Sequence, residues 1–546
     1  MSRAAFLLPV LVLVGPVRAQ LGPPSAPPQN PVTEEKRILG KLLFWEEQLS
    51  SGNTMACGTC HQFAVSGADA RFARHPGPDG VYESGDDIFG TRGTRSSTGE
   101  GDYIVSEVYG IDHQVVPRSA PPSVTAAYFK SLFWDGRATK KFFDPETGQL
   151  LMTSSGALES QAVGPILSAA EMAYPNRTWE DVKQKLAEVR PMALAADLPP
   201  DMASAIASGA DYPDLFEDAF GDSEITGARI AFAIATYERT LIPDQTPWDL
   251  FDAGQTSALT PAQQNGLSKF MTSARCNVCH EPPLFSDDRF HNLGLRPVAD
   301  DIGREAVTED PADAGRFKTP SLRNVSLRTQ LFHNGRIPEI PGAPPALNKS
   351  LVAQTMPLYI LGGGPFPENV DPFLLPLPGL TDEQVRNVVD FVVNGLTDPR
   401  LAAGTFPFDS PTLFSQSRER GLVFHGSAVP GRGGRVPELV VDVAPVVDGG
   451  TFRLGLVGAR PFTYAWVSVQ HTTAPQPPFG AAWRSVETEH ILQQPGVWIG
   501  DSATWRVEFP SDPALIGLGL DMRWNILDPA ALGGVAQTRS VIVTLQ

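Results

Sequence analysis

Two pentapeptides constrain this chain more than anything else in it. Cys57-Gly58-Thr59-Cys60-His61 and Cys276-Asn277-Val278-Cys279-His280 both read C-x-x-C-H, and together they use all four cysteines. A single such motif could be a redox dithiol, or half of a zinc site that happens to precede a histidine. Two of them, with no cysteine left over, point to covalent attachment of c-type haem. The two thiols can form thioethers to the haem vinyl groups, and the adjacent histidine then lies where it can ligate the iron. Cys57, Cys60, Cys276 and Cys279 are therefore the expected tethers, and His61 and His280 the expected proximal iron ligands.

The start of the chain reads as an address. Met1-Ser2-Arg3 is basic, Ala4 to Gly15 is apolar, and Val17-Arg18-Ala19 resembles a small-residue cleavage site. The apolar run is short for a transmembrane span. Residues 1–19 are expected to be a signal peptide and 20–32, rich in proline, a flexible leader, so the mature chain would be periplasmic or secreted and without a membrane span. No cysteine remains for a disulfide, so this reading rests on the leader alone. The formal charge of −18 excludes nucleic acid as a partner and suits a basic protein.

The length of 546 residues suits about three domains. A helix is expected from Thr33 to about Gln48, with Ile38, Leu39, Leu42 and Leu43 on one face. The Gly-, Asp- and Ser-rich segment after His61, with Asp79, Asp86 and Asp87, reads as a solvated loop, since its spacing is not that of an EF-hand. Arg229 to Leu241 forms a second helix. Thr260-Pro261-Ala262-Gln263 is a capping box opening a helix that runs into Cys276. The two C-x-x-C-H units are thus a diverged repeat, each preceded by a helix. Thr381-Asp382-Glu383-Gln384 caps another helix, with Val385, Val388, Val389 and Val392 inward. After about Pro407 the pattern changes to period two, as in Phe452, Leu454 and Leu456, in Trp505, Val507 and Phe509, in Ile516 to Trp524, and in Val541, Val543 and Leu545. That alternation predicts half-buried strands.

Longer motifs add a resemblance. Leu42-Leu43-Phe44, Gln48-Leu49-Ser50, Phe133-Trp134-Asp135-Gly136-Arg137, Leu158-Glu159-x-Gln161-Ala162, Gly164-Pro165, Glu171-Met172, Phe317 to Val325 and Phe332-His333-Asn334-Gly335 occur in this order. Over roughly residues 33–415 the chain resembles the bacterial di-haem cytochrome c peroxidases, a family that includes the di-haem enzyme of methylamine utilisation. An insertion near Lys140 to Ser155 departs from the family and is expected on the surface near the first haem. The implied fold is mainly α. A peroxidatic cytochrome c-like domain spans 33–255 and an electron-transfer cytochrome c-like domain 256–406. An all-β, sandwich-like accessory domain outside the resemblance occupies 407–546.

The resemblance also assigns roles. Gln161, Pro165 and Glu171 match positions lining the distal side of the first haem, with Glu171 as the acid/base that carries a proton between the oxygens of bound peroxide. Trp134 matches the position between the haems, where it would shorten the electron's path. His113 is a candidate sixth ligand of the first haem, set two residues nearer the Pro117-Arg118 motif than in the classical peroxidases. For the second haem the chain offers Tyr359, three residues before Gly362-Gly363-Gly364, and Met356. Methionine would raise the potential and an anionic tyrosine would lower it. The family's interdomain calcium would fall at Ser119, Arg328 and Gln330, and an arginine there disfavours a cation. His291 and His333 are expected to hydrogen-bond around the second haem and the domain interface.

The function implied is a di-haem c-type peroxidase, for which a homodimer is one arrangement. It would reduce hydrogen peroxide to water with electrons from a small redox protein, a cytochrome c or a cupredoxin. Two alternatives stay open: an oxidase turning the same ferryl chemistry on a protein or organic substrate, and a di-haem electron carrier without catalysis.

Overall fold

The computed structural model of the chain describes residues 21–340, 344–377, 379–417, 422–431, 434, 436–441, 451–459, 465–471, 501–509 and 513–545. The expected signal peptide lies outside them. Residues 21–32 carry no helix or strand. Their end is tied down: Asn30 is buried, and its Nδ2 donates to Glu159 Oε1 and to Phe232 O, both at 2.9 Å.

The first unit starts with α1 (Glu34–Trp45), capped by Thr33, whose Oγ1 accepts from Lys36 N at 3.3 Å. Its apolar side, with Leu39, Leu42 and Leu43, is buried as the helical spacing requires. The chain turns into α2 (Cys57–Cys60), the first haem-type motif. Gly58 is needed there, because a Cβ would lie 2.1 Å from the Trp45 ring. The segment expected as a solvated loop instead builds an antiparallel sheet of β1 (Phe72–His75), β2 (Ile88–Arg95) and β3 (His113–Val116). Of its aspartates, Asp87 pairs with Arg74 rather than standing free for a cation. The insertion folds as a hairpin, β4 (Phe142–Phe143) and β5 (Leu150–Met152). There follow α3 (Ala157–Ile166), α4 (Trp179–Glu188), α5 (Pro200–Ile206), α6 (Tyr212–Phe220), α7 (Gly227–Glu238) and α8 (Pro247–Asp252). The hairpin packs on α7, with Phe142 5.7 Å from Phe232 and Glu146 Oε1 accepting from Gly227 N at 2.7 Å. It contributes no residue to the cavity described below.

The second unit comprises α9 (Pro261–Met271), β6 (Phe290–His291), α10 (Glu305–Thr308), β7 (Phe317–Lys318), α11 (Leu351–Leu361), α12 (Asp382–Asp390) and α13 (Pro399–Ala403). The capping box at Thr260 forms: its Oγ1 accepts from Gln263 N at 3.2 Å and Gln263 Oε1 accepts from Thr260 N at 2.9 Å. The repeat read from the sequence is visible in the packing. Each helix that precedes a motif crosses its partner at a glycine. A Cβ on Gly40 in α1 would lie 1.9 Å from Ala233 O in α7, and one on Gly266 in α9 would lie 1.9 Å from Asn387 O in α12. The units are joined by a buried bidentate pair, with Arg323 Nη1 and Nη2 each 2.8 Å from a carboxylate oxygen of Asp249 in α8.

The chain then crosses back to the first unit, whose core contains Leu401, Phe408 and Leu413. Among the described residues, the strands of the tail begin at Leu422 rather than at Pro407. They are β8 (Leu422–His425), β9 (Glu438–Val440), β10 (Thr451–Ala459), β11 (Ala465–His471), β12 (Asp501–Glu508), β13 (Gly519–Leu527), β14 (Val535–Gln537) and β15 (Ser540–Thr544). One antiparallel sheet has the order β12-β10-β9. The other runs β11-β13-β15-β8, with β14 on β13. Phe452, Leu454 and Leu456 of the first share a core with Met522, Trp524, Val541 and Val543 of the second. Ile516 breaks the expected alternation: it precedes β13 and is exposed. Among the described residues no helix is long and apolar enough to cross a membrane.

Candidate haem sites

Each C-x-x-C-H motif opens onto its own cavity. The cavity beside Cys57, Cys60 and His61 encloses about 1410 Å³ of empty space, counting the part open to solvent. The one beside Cys276, Cys279 and His280 encloses about 1680 Å³ on the same measure. None of the four cysteines is tied up in a disulfide. The two histidines are held alike: His61 Nδ1 lies 2.9 Å from Gly67 O and His280 Nδ1 lies 3.0 Å from Phe285 O. A carbonyl oxygen can only accept, so Nδ1 carries the proton and Nε2 keeps its lone pair for a metal. Burial lowers the pKa of both rings, which keeps the imidazoles neutral. A thiol pair, a neutral imidazole with an oriented lone pair and an open cavity fit a covalently held haem at each site.

The first cavity gathers most of the expected residues. Gln161 and Pro165 stand four apart in α3, hence on one face, and both line it. Glu171 lines it from the turn after α3. That turn is fixed by β2 and β3: Thr94 N donates to Ala170 O at 3.0 Å and Gln114 Nε2 to Ala169 O at 2.8 Å. Glu171 is half-buried, and its carboxylate has no hydrogen-bond partner among the described residues. Trp134 is buried in the same wall. Its Nε1 donates to Ser119 O at 2.8 Å, and its own carbonyl accepts from Lys318 N at 2.8 Å. Lys318 to Ser321 line both cavities, so Trp134 hangs on the partition between them.

His113 is not brought into this cavity. It lies in β3, where side chains alternate in direction. Val116 lines the cavity, so His113 and Val115 belong to the other face. The His113 ring instead meets Gly93 O at 3.0 Å through Nδ1.

A second carboxylate was not singled out from the sequence. Glu238, at the end of α7, is buried and lines the first cavity, with Oε2 lacking any hydrogen-bond partner. Burial pushes its carboxyl up to about 8, against the opposing charge of Arg239. The available signal was spacing: Glu238 follows Ile234, another lining residue, by one turn.

In the second cavity, Tyr359 and Met356 stand three apart in α11 and both line it. The Tyr359 hydroxyl has no hydrogen-bond partner among the described residues, and burial raises its pKa. The glycines that follow have steric reasons. Gly362 has φ 80° and packs on Pro376, while a Cβ on Gly364 would lie 2.2 Å from Gly294 O. His291 sits between two carboxylates, Nδ1 2.6 Å from Asp371 Oδ2 and Nε2 2.8 Å from Asp287 Oδ2. Both nitrogens therefore donate, and the ring is held cationic. His333 is buried, stacks on Phe317 at 3.6 Å, and its carbonyl accepts from Ser119 N at 2.7 Å across the unit boundary. Calcium needs six to eight oxygen ligands. At the expected positions the Ser119 hydroxyl is committed to Phe332 O at 2.8 Å, and Arg328 places a buried cation. That donor set does not suit a calcium ion.

Comparison with known proteins shows which family the chain resembles. The family described as di-haem cytochrome c peroxidase matches residues 34–257. The methylamine utilization protein MauG of Methylophilus methylotrophus is 30% identical over 316 residues, covering 57% of this chain and 72% of that protein. MauG of Methylorubrum extorquens is 28% identical over 314 residues, covering 57% and 68%. Cytochrome c551 peroxidase of Pseudomonas aeruginosa is 28% identical over 360 residues, covering 64% and 80%.

Proposed function

The chain belongs to the di-haem cytochrome c peroxidase family, and from that premise we propose that it reduces hydrogen peroxide to water with electrons from a small redox protein, a cytochrome c or a cupredoxin. In this reading residues 33–255 and 256–406 are cytochrome c-like haem domains, 407–546 a β-sandwich-like accessory domain, and the protein is exported. The observation that carries it is a single cavity lined by His61, Gln161, Pro165 and Glu171.

Cys57, Cys60 and His61 would hold a haem there, which would supply, together with the second haem, the redox chemistry and the two electrons that peroxide reduction needs. The chain's own residues supply the proton path. The Glu171 carboxylate, free of hydrogen bonds, takes the proton from the inner oxygen and returns it to the outer one, which leaves as water; the inner oxygen leaves as the second water once the two electrons and two protons from solvent have reached it. Gln161, on the same wall, orients the peroxide through its amide. Pro165, with no N–H, presents only carbon to the pocket and limits competing water. The placement of His113 in β3 supports a peroxide-accessible face without prior release of a ligand. Electrons would pass from the second site to the first along the Lys318–Ser321 partition and Trp134.

For the second haem, the unpartnered hydroxyl of Tyr359 supports this residue over Met356 as the one that would hold the iron together with His280. The same feature favours a second reading, oxidation of a protein or organic substrate, because an anionic oxygen ligand stabilises high oxidation states.

Stopped-flow absorption of the oxidised and half-reduced protein mixed with peroxide tests the proposal. The parent reacts in at least one form, and Glu171→Gln reacts about 10²–10⁴-fold more slowly. A parent inert in both forms, or a Gln variant as fast as the parent, removes the peroxidase reading. In the same spectra, Tyr359→Phe changes the low-spin bands of the second haem if the tyrosine ligates, and leaves them alone if Met356 does.

A further inference from the structure

Arg328 is 5 % exposed and follows the short turn Val325–Leu327 in the wall of the second cavity. Its Nε and Nη2 have no hydrogen-bond partner, and among the described residues no carboxylate pairs with it. Burial lowers its pKa to about 10, with no neighbouring charge to offset the effect. The other buried charged groups of this wall are matched: Lys318 with Asp288, and Asp371 with His291. Half-buried Asp301 is matched as well, by Arg118 at 2.7 Å.

A guanidinium does not shed its proton at any ordinary pH, and leaving one buried and unpaired costs several kcal/mol. Such a group must meet an anion in the working protein. The described side chains offer none, so the anion comes with whatever fills the cavity. On the di-haem reading, that occupant is a porphyrin with two propionate carboxylates on its edge. We propose that Arg328 binds a propionate carboxylate of the second haem, as the fixed positive charge at this boundary between the two units. The planar fork of arginine suits a carboxylate in two parallel hydrogen bonds. The neighbouring Gln330 Oε1 is likewise unpartnered, while its Nε2 donates to Asp69 O in the first unit at 3.2 Å. The site therefore reports to both units.

The inference rests on the di-haem reading, and the experiment separates the two. Haem is counted per chain by the pyridine haemochrome. Fewer than two in the parent overturns the di-haem reading and this proposal with it. With two present, resonance Raman follows the propionate bending band of the second haem, and spectroelectrochemistry follows its potential against pH, in the parent, Arg328→Gln and Arg328→Lys. In the parent the paired propionate stays ionised and the potential is flat with pH. In Arg328→Gln the band shifts and the neutral-pH potential falls, because a positive charge is gone. That potential then rises as the pH is lowered and the freed propionate takes up a proton. Lysine keeps the charge without the fork, so its pH profile stays flat while its band moves. A band and pH profile in Arg328→Gln identical to the parent overturn the proposal. If the glutamine variant does not fold, a parent-like band in Arg328→Lys does the same.

Discussion

Two carboxylates face the cavity beside His61, and their surroundings set them apart. Glu171 is half-buried on a turn, whereas Glu238 is buried at the end of α7 with one oxygen unpartnered. Burial raises the Glu238 carboxyl from 4.5 to about 8, so it is uncharged in the folded protein near neutrality. A raised carboxyl lowers stability once the pH exceeds the unfolded value, because the unfolded chain then releases a proton that the folded one retains. The loss begins above 4.5 and is complete near 8. The parent's melting temperature should therefore fall between about pH 5 and pH 8, by the equivalent of a few kcal/mol. Glu238→Gln, which mimics the neutral acid, should flatten that slope and melt higher at pH 8. Equal slopes in both proteins would mean that Glu238 is paired and ionised. The contrast between residues legible in the sequence and residues missed is physical. Cys57 and His61 announce themselves through local spacing, and Gln161 only through its match to a family motif. Glu238 is masked by its neighbour Arg239, which makes Glu-Arg look like a solvated helix end, although Arg239 is buried against Glu159 at 2.8 Å. Arg328 shows as an odd residue type, but its lack of a counter-ion exists only in three dimensions.

At the scale of elements, α1, α7, α9 and α12 were legible, whereas the helices from α3 to α6, α11 and the short strands were not. Thr33, Thr260 and Thr381 each cap the helix expected of them, because a cap is a contact within four residues. The sheet β1-β2-β3 grew from a segment whose Gly and Asp content argued for loop. Its pairing partners lie far apart in sequence, and one face borders the cavity. The crossings at Gly40 and Gly266 were equally hidden, since nothing local distinguishes a packing glycine from a weak point in a helix. They carry a sharp expectation. Replacing glycine by alanine in a free helix gains up to about 1 kcal/mol. Here the new Cβ would stand 1.9 Å from a carbonyl oxygen of the partner helix. Forcing α1 from α7, or α9 from α12, costs about 1–3 kcal/mol or more by overpacking, which exceeds the propensity gain. Gly40→Ala and Gly266→Ala should both melt below the parent, and each should disturb the absorption of the haem in its own unit. An alanine variant more stable than the parent would contradict the crossing geometry.

At the scale of the whole molecule, the β-rich tail is attached to the first unit by specific contacts. Glu47 accepts from Phe414 N at 2.8 Å and Ser415 N at 2.9 Å, fixing the chain just before the strands. The segment between β2 and β3 then docks on the sheet β12-β10-β9. Tyr103 is buried with Ile111 and Val440, its backbone N donates to Thr504 Oγ1 at 3.1 Å, and the Arg453 guanidinium lies 4.6 Å from its ring centroid. Arg453 Nη1 and Arg506 Nη1 donate to Gly101 O and Glu100 O, each at 3.0 Å. Gly455 leaves room for the ring, since a Cβ there would stand 2.8 Å from it. The polar contacts at the rim are worth about 1 kcal/mol each at most, whereas truncating a buried aromatic costs about 3–5 kcal/mol. Tyr103 thus dominates the attachment. Tyr103→Ala should separate the unfolding of the tail from that of the haem units, giving two calorimetric transitions where the parent gives one. Protease should then separate the β-rich tail from the haem units, while the haem absorption stays that of the parent. A single transition with unchanged protease resistance would show that Glu47 and the strand edges hold the tail without the tyrosine.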